Sequence, residues 1–286
     1  MALSILGAAF ALFVFYSWWI EPAMRLRVQR WEVKSPAWQG PPLKIAILSD
    51  IHAGWPYVSL ARLRKIVARA NAEEADLAVN LGDYGSAHPL SNRYAKADVI
   101  DAIKDFHGKL GTYYILGNHD WWQDKPALKA RRVPEAGRAI ADAGLTLLDN
   151  DAVMLEHGVY SFAVVGLGDQ RPHAHNPKYP GFDDLDEALA SVPKDIPAIL
   201  LAHEPDIFPD VPPQVILTLS GHTHGGQVRF GSWAPFIQFS RYEQFVYGIY
   251  ETEQSTLVIS GGIGCANVPA RFGIPPEITV VTLRGA

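Results

Sequence analysis

The sequence predicts an α/β fold of two packed sheets flanked by helices, preceded by an apolar segment near the N-terminus. Its first half alternates short apolar runs with stretches in which apolar residues recur at helical spacing, as in strand–helix–strand units. Its second half holds further apolar runs of strand length with few helices between them. The chain of 286 residues is 48% apolar and 19% charged, which is typical of a globular protein with a large core.

The apolar segment comprises residues 1–20 and carries no charged side chain. As a helix it would match the hydrocarbon layer of a bilayer, which is about 30 Å thick. Tyr16, Trp18 and Trp19 lie at its end, where aromatic rings favour the membrane–water interface. No basic residue precedes the run and no small-residue cleavage site follows it, so we expect a transmembrane anchor instead of a cleaved signal peptide. A helix lying in the interface is the alternative.

Four basic residues follow the segment: Arg25, Arg27, Arg30 and Lys34. By the positive-inside rule they predict a single-pass protein of the inner (plasma) membrane with its main domain in the cytoplasm. Residues 21–42 end in Gly40-Pro41-Pro42 and are predicted to be a short tether. Residues 43–286 then form the main domain.

Charge and cysteine content narrow the classes of function. The formal net charge of −5 argues against a nucleic-acid-binding protein that works through a basic surface, so we expect no nucleic acid as partner. Cys265 is the single cysteine, so no disulfide can form within the chain. This fits a reducing compartment.

Strands and helices alternate after the tether. Ser59 is a suitable N-cap for a helix in which Leu60, Leu63 and Val67 share one face. Gly111 is predicted to end the next helix and Gly144 the third. The predicted strands of this half are 43–49, 76–81 and 112–116, and the predicted helices are 60–70, 99–110 and 134–143. The second half is predicted to contain one helix, 183–190, and the strands 162–166, 198–202, 215–219, 256–259 and 278–283.

Potential metal ligands follow five of the predicted strands. They are Asp50-Ile51-His52, Gly82-Asp83, Gly117-Asn118-His119-Asp120, His203-Glu204 and Gly221-His222-Thr223-His224. In open α/β sheets, ligands bind just beyond the carboxyl ends of the strands. Each motif alone is a weak signal, but five in succession, each after a predicted strand, predict a single metal-binding region.

These motifs resemble those of the calcineurin-like metallophosphoesterase superfamily, which run D-x-H, G-D, G-N-H-D/E, H and G-H-x-H. The resemblance extends roughly from Leu43 to Leu283 and implies a four-layer α/β/β/α sandwich of two mixed sheets. Further stretches resemble the membrane-anchored branch that includes YkuE- and YaeI-like phosphodiesterases and enzymes that cleave UDP-2,3-diacylglucosamine in lipid A synthesis. These stretches are Gly225-Gly226-Gln227, Gly261-Gly262-Ile263-Gly264, Pro269-Ala270-Arg271 and Pro275-Pro276-Glu277-Ile278.

The resemblance implies two divalent metal ions that share one carboxylate. One ion would be held by Asp50, His52, Asp83 and His224, and the other by Asp83, Asn118, His203 and His222. The mixed nitrogen and oxygen ligands suit Mn²⁺, Fe or Zn²⁺, and the absence of thiolates argues against a structural zinc site. The resemblance further implies that His119 stabilises or protonates the leaving oxygen and that Asp120 orients the His119 ring.

The expected function is hydrolysis of a phosphodiester or pyrophosphate bond at a membrane, with a phosphoester or nucleotide-lipid such as UDP-2,3-diacylglucosamine as substrate. A general phosphodiesterase or a phosphoprotein phosphatase is the alternative. A catalytically inactive metal-binding scaffold is a third hypothesis, since a fold alone does not establish activity. The complete ligand set and the intact His119 favour an enzyme.

Two aromatic stretches leave alternatives open. Trp121, Trp122 and the basic residues after them form either a solvated loop or a basic lip beside the metals. The stretch 230–250 carries eight aromatic residues, including Phe236 and Phe239. It is either packed along an edge strand or forms a rim that faces the membrane.

Overall fold

Two six-stranded mixed sheets form the centre of the computed structural model, which describes residues 2–173, 180–235, 240, 242 and 244–286. The first sheet has the spatial order β1 (Arg27–Lys34), β14 (Glu277–Arg284), β2 (Leu43–Leu48), β4 (Leu77–Asn80), β6 (Thr112–Tyr114) and β7 (Thr146–Leu147). The second has the order β12 (Gly248–Glu251), β13 (Thr256–Ile259), β11 (Val215–Ser220), β10 (Ala198–Leu201), β9 (Tyr160–Gly166) and β8 (Asp151–His157). A small separate pair is formed by β3 (Gly54–Trp55) and β5 (Asn92–Arg93).

Helices cover the outer faces of both sheets. They are α3 (Leu60–Asn71), α4 (Lys96–Ile103), α5 (Asn118–Trp122), α6 (Lys125–Ala130), α7 (Glu135–Asp142) and α8 (Leu185–Leu189), and 3₁₀ turns span Pro205–Asp210 and His224–Gly226. Between the sheets, Ile45 and Val79 of the first pack in one buried cluster with Ile199 and Leu217 of the second. The predicted sandwich of two mixed sheets with helices outside is therefore confirmed.

The predicted elements occur close to their predicted positions. Ser59 caps α3, and its Oγ accepts a hydrogen bond from the Arg62 backbone N–H. The helix predicted over 99–110 is wrong in its second half, because α4 ends at Ile103. Phe106 is nevertheless buried, since the chain turns there and Gly108 lies against the backbone of β4, where any Cβ would overlap it. Apolar spacing alone could not distinguish a buried turn from another turn of helix.

Residues 21–42 were predicted to be a tether, but this prediction is wrong for Arg27–Lys34, which form strand β1. This strand pairs in parallel with β14 over its whole length, from Arg27 opposite Glu277 to Lys34 opposite Arg284. Its composition is polar because it is an edge strand and most of its side chains are partly or fully exposed. Two of the basic residues used for the topology prediction are also ion-paired within the domain, Arg27 with Glu277 and Arg30 with Glu73.

Before β1, α1 (Ala2–Phe15) continues through a π-helical turn (Tyr16–Ile20) into α2 (Glu21–Met24). Within the described chain, Leu3–Met24 is the one helix long and apolar enough to cross a membrane. Its second half is docked on the domain: the Ser17 carbonyl accepts from the Arg271 N–H at 2.9 Å, and the buried Glu21 carboxylate accepts from the Ile274 N–H at 2.9 Å.

The Glu73 carboxylate fixes β1 to α3, and its loss should weaken the fold. Burial alone would raise the pKa of Glu73, but hydrogen bonds from Arg30 and Arg69 lower it below its usual value. A carboxyl whose folded-state pKa is depressed stabilises the fold above its unfolded pKa, about 4.3, and this contribution is lost as the pH falls below that value. Because both arginines are largely exposed, we expect Glu73→Gln to cost about 1 kcal/mol at pH 7.

This can be measured by urea unfolding of the full chain in detergent, followed by tryptophan fluorescence. Glu74→Gln is the matched control, because the neighbouring Glu74 is exposed. The difference between the wild-type protein and Glu73→Gln should stay constant between pH 7 and about pH 5 and shrink as the pH falls below about 4.3. A difference that stays constant or grows below about pH 4.3 would contradict this account of Glu73.

Candidate metal centre

The seven predicted ligands lie together at the carboxyl ends of five strands. Strands β2, β4 and β6 are parallel neighbours in the first sheet, and β10 and β11 are parallel neighbours in the second. The loops after these strands therefore face one another where the two sheets meet. All seven side chains are buried: Asp50, His52, Asp83, Asn118, His203, His222 and His224.

One group of four contains Asp50, His52, Asp83 and His224. The His52 and His224 Nε2 atoms lie 3.1 Å apart, and His224 Nε2 lies 3.3 Å from Asp50 Oδ1. The distance from His52 Nε2 to Asp83 Oδ2 is 3.4 Å. These are the four residues that the sequence assigned to the first metal, and their ligating atoms converge.

The second group contains Asp83, Asn118, His203 and His222. Asn118 Oδ1 lies 3.1 Å from His203 Nε2 and 3.0 Å from His222 Nδ1. His203 Nε2 is also 3.3 Å from Asp83 Oδ2. A single oxygen, Asp83 Oδ2, therefore contacts one histidine of each group, as the predicted bridging role requires.

The protonation of two imidazoles indicates that cations fit between these atoms. His52 Nδ1 lies 3.1 Å from the Gly85 carbonyl oxygen and His203 Nδ1 lies 2.6 Å from that of Leu81. Each of these nitrogens is thus an N–H donor, so whenever the ring is neutral its Nε2 carries the lone pair. Both lone pairs face the Asp83 carboxylate, which is repulsive unless a cation or a proton lies between them. The donor set of imidazoles, carboxylates and an amide oxygen suits a divalent metal ion.

Burial and mutual charge shift the pKa values of these groups strongly. Burial lowers the pKa of His52 to about 3, against the opposing effect of the Asp83 carboxylate. Burial raises the pKa of Asp50 to about 6, although His203 opposes this shift. Burial would also lower the pKa of His203, but the adjacent Asp83 carboxylate overcomes it and raises that pKa well above its usual value. In the absence of metal, a proton on His203 can therefore occupy the place of a cation.

The backbone at the site is strained. Ten non-glycine residues of the described chain have positive φ angles, and five of them are predicted ligands: Asp50, His52, Asp83, His222 and His224. Such a conformation is uncommon outside glycine and costs on the order of 1 kcal/mol or more per residue. The neighbouring Gly117 is required sterically, because a Cβ there would overlap the Asp83 carboxylate. Strain concentrated at one cluster indicates that the positions of these side chains matter for function.

His119 lies at the opening of this cluster. Its backbone N–H donates to Asp83 Oδ1 at 2.8 Å, so the first turn of α5 holds the shared carboxylate in place. Its ring contacts those of His52 and Trp122, with centroid distances of 5.0 and 4.6 Å. The ring also lines an open cavity of about 630 Å³, together with Arg93, Trp122 and Lys125.

Asp120 has a different role from the predicted one. Its carboxylate accepts hydrogen bonds from the backbone N–H groups of Asp83, Tyr84 and Gly117, at 2.9, 3.1 and 3.1 Å. Within the described residues no hydrogen bond joins it to the His119 ring, so the prediction that Asp120 orients that ring is wrong. It fixes the Gly82-Asp83 loop instead, and the buried Lys96 ammonium lies 3.5 Å from it.

Two carboxylates near the site were assigned no role from the sequence. Glu204 and Asp169 are buried carboxylates behind His203, and burial raises the pKa of both, that of Glu204 to about 7. Glu204 Oε1 lies 3.9 Å from His222 Nδ1. The position of Glu204 directly after His203 was a usable signal, whereas Asp169 follows a strand that carried no recognised motif.

The sequence left open whether the aromatic residues of two stretches pack within the domain or line an exposed surface. The answer differs from residue to residue. Trp121 is buried and packs on Phe182, whereas Trp122 lines the cavity next to His119. Phe230 and Trp233 are exposed, as a membrane-facing rim requires, but Phe245 is buried against its aromatic neighbours. Phe236 and Phe239 lie outside the described residues.

Comparison with known proteins identifies the family. Residues 43–226 match the calcineurin-like phosphoesterase family. A transmembrane protein with a metallophosphoesterase domain from Bos taurus is 30% identical over 89% of this chain and 56% of its own length. The metallophosphoesterase YkuE of Bacillus subtilis is 30% identical over 84% of this chain and 79% of its own. The chain thus spans little more than half of the bovine relative.

The chain therefore belongs to the calcineurin-like phosphoesterase family, and its cluster of histidines and carboxylates suits the divalent metal ions that this fold implies. Leu3–Met24 is long and apolar enough to cross a membrane, and the bovine relative is named as a transmembrane protein. Among solved structures, the NAD nucleotidase of Haemophilus influenzae matches 78% of this chain and 46% of its own, with 14% identity and a TM-score of 0.48.

Replacing Asp120 should weaken metal binding although Asp120 is not a proposed ligand. In Asp120→Asn, one oxygen must serve three backbone N–H groups, and Lys96 loses its nearest carboxylate. Loss of a residue that positions a metal ligand typically lowers the metal affinity about 10–100-fold. We expect a loss of that order in the affinity for Mn²⁺, measured by calorimetry on the full chain in detergent.

Asp105→Asn is the control, since it makes the same chemical change at an exposed residue. Equal Mn²⁺ affinity for the wild-type protein and Asp120→Asn would show that the Asp83 loop holds its position without this carboxylate.

Proposed function

We propose that the protein is a membrane-anchored hydrolase that uses two divalent cations to cleave a phosphodiester or pyrophosphate bond. The observation that carries this proposal is the shared position of Asp83 Oδ2, within 3.4 Å of His52 and 3.3 Å of His203. Two complete ligand groups that meet at one carboxylate are expected for a pair of cations about 3.5–4 Å apart. A structural site for a single zinc ion would need neither the second group nor the shared carboxylate.

Each part of the site has a proposed task. Two bound cations would lower the pKa of a water molecule and neutralise phosphoryl charge. Asp50, His52, Asp83 and His224 would hold one cation, and Asp83, Asn118, His203 and His222 the other. Asp83 Oδ1 is held by the His119 N–H, which leaves Oδ2 free to bridge. The cavity that opens at His119 offers room for the phosphoester.

His119 is proposed as the group that stabilises or protonates the leaving oxygen. Its backbone is fixed to the shared carboxylate, while its ring faces the cavity beside Trp122. Burial lowers the pKa of His119, so the metal-free ring is neutral at pH 7. A neutral imidazole still offers one N–H donor to a developing oxyanion. The intact His119 is also the feature that favours an enzyme over an inactive scaffold.

The substrate is proposed to be an amphiphile at the inner (plasma) membrane, reached from the cytoplasmic side. A nucleotide-linked glycolipid such as UDP-2,3-diacylglucosamine is the leading hypothesis, because the motifs resemble a branch with that activity and the domain is joined to an apolar helix. A general phosphodiesterase or a phosphoprotein phosphatase is the alternative. Rates on a nucleotide-lipid, a simple diester and a phosphopeptide would discriminate between them.

Removal of metal should abolish hydrolysis, and loss of the shared carboxylate should do the same. Asp83→Asn keeps the side-chain volume but removes the charge that both cations share, so we expect it to lose both ions. Hydrolysis of bis(4-nitrophenyl) phosphate by the wild-type protein should stop with a chelator and return with Mn²⁺. Metal content by mass spectrometry is the second readout, and the exposed Asp105→Asn is the control. Full turnover by Asp83→Asn with two ions bound would overturn the assignment.

Replacing His119 should separate catalysis from metal binding. His119→Ala removes no proposed ligand, so both metal ions should stay bound. A positioned acid–base group contributes about 10²–10⁴-fold, and we expect kcat to fall by that order for an alkyl leaving group. For a nitrophenolate leaving group, which needs little protonation, the fall should be much smaller. The same fall for both leaving groups would argue against this role of His119.

A further inference from the structure

A second cavity, of about 620 Å³, lies between the apolar helix and the domain. One wall is formed by Phe13, Ser17 and Trp18 of the helix, and the other by residues of the 226–235 and 266–270 loops. The apolar side chains Val228, Phe230, Trp233 and Val268 of these loops line the cavity. Neither the metal groups nor the proposed chemistry uses this cavity.

The wall contains three polar side chains. Ser17 Oγ is buried and has no hydrogen-bond partner among the described residues, Asn267 is exposed, and Gln227 is satisfied by the protein. The Gln227 amide nitrogen lies 3.0 Å from the Val268 carbonyl oxygen, and its amide oxygen accepts from the Ala266 N–H at 2.6 Å. These bonds join the two loops and leave the amide little capacity for a polar ligand. An apolar cavity with so few free polar groups suits a hydrocarbon chain and not a nucleotide or a sugar.

The cavity lies directly beside the metal centre. Gly226 and Gln227 of its wall follow the proposed ligand His224 by two and three residues. The exposed Asn267 lines both this cavity and the one that opens at His119. A molecule with its phosphoester at His119 could therefore extend an apolar part past Asn267 into the second cavity.

The same cavity also lies next to the membrane. Phe13 and Trp18 belong to the candidate membrane span Leu3–Met24, so insertion of this helix brings the cavity to the bilayer. Phe230 and Trp233 of the opposite wall are 47% and 64% exposed, as expected for aromatic rings in the interface. A chain leaving the bilayer can enter here without crossing water.

We propose that this cavity binds an acyl chain of the phosphoester that is hydrolysed at the metal centre. The inference rests on the proposed function and adds a binding site for the apolar part of the substrate. An acyl site also explains why the helix is docked on the domain. The Arg271 N–H donates to the Ser17 carbonyl and the Ile274 N–H to the Glu21 carboxylate, and these bonds hold the two walls of the cavity in position.

A series of 4-nitrophenyl alkyl phosphates with methyl, butyl, octyl and dodecyl chains tests the site, with the full chain in lipid nanodiscs. Each fully buried CH₂ is worth about fourfold in binding, so kcat/KM should rise with chain length and level off when the cavity is full. Ala270→Trp places an indole in the cavity and should lower the dodecyl-to-methyl ratio of kcat/KM at least tenfold. Phe230→Ala, which removes part of a wall, should lower it about threefold or more.

The control is Val159→Trp, which adds the same indole at an exposed turn and should leave the ratio unchanged. Hydrolysis of the methyl ester reports on folding and metal loading in every variant. If the wild-type protein hydrolyses none of the esters, the proposed function fails. If it hydrolyses all of them and both cavity variants keep the wild-type ratio, the acyl site fails while the proposed function stands.

A binding measurement in the presence of a chelator, which prevents turnover, completes the test. Dodecyl methyl phosphate with a diazirine on its last carbon should photolabel peptides containing residues 226–233 and 266–270. Labelling confined to residues 3–12 of the helix would show that the chain stays in the bilayer, and would overturn the proposal.

Discussion

The position of one buried carboxylate, that of Asp83, sets the geometry of the whole molecule. It lies at the end of a strand of the first sheet, yet Oδ2 contacts His203, which follows a strand of the second. The two sheets must therefore pack so that their carboxyl ends coincide to within an ångström or so. The buried cluster between them, with Ile45 and Val79 against Ile199 and Leu217, provides this alignment. Asp120 and His119 then fix the loop through backbone hydrogen bonds.

This arrangement costs stability that the rest of the fold must supply. Carboxylates and imidazoles are removed from water, and several of their backbones have positive φ angles. The long parallel strands and the two buried clusters around the first sheet offset these costs. Ligands that bind only the folded state shift the same balance by mass action. Cation binding and folding are therefore coupled here, although the domain has a core large enough to form without metal.

Much of this could be predicted from the sequence, because local patterns carried it. Five motifs after apolar strands were enough to predict one metal-binding region, since the carboxyl ends of parallel strands share an edge. The choice of seven ligands within that region came from the family resemblance. The long-range features were not predictable in this way. β1 is polar because it is an edge strand, and only its partner β14, about 250 residues later, makes it a strand. Asp120 bonds a loop distant in sequence, and no spacing rule distinguishes that from an orienting contact with the neighbouring His119.

The pairing of β1 with β14 also determines when the first sheet can be completed during synthesis. A nascent chain exposes β1 soon after the apolar helix, but β14, which pairs with both β1 and β2, is synthesised after the other strands described here. Until then, the edges of β1 and β2 lack their partner, and unpaired edges are sites of misassembly. Non-local contacts of this kind form slowly because a long loop must close. A prematurely terminated chain would therefore retain its apolar helix and both open edges, and quality-control proteases could recognise it.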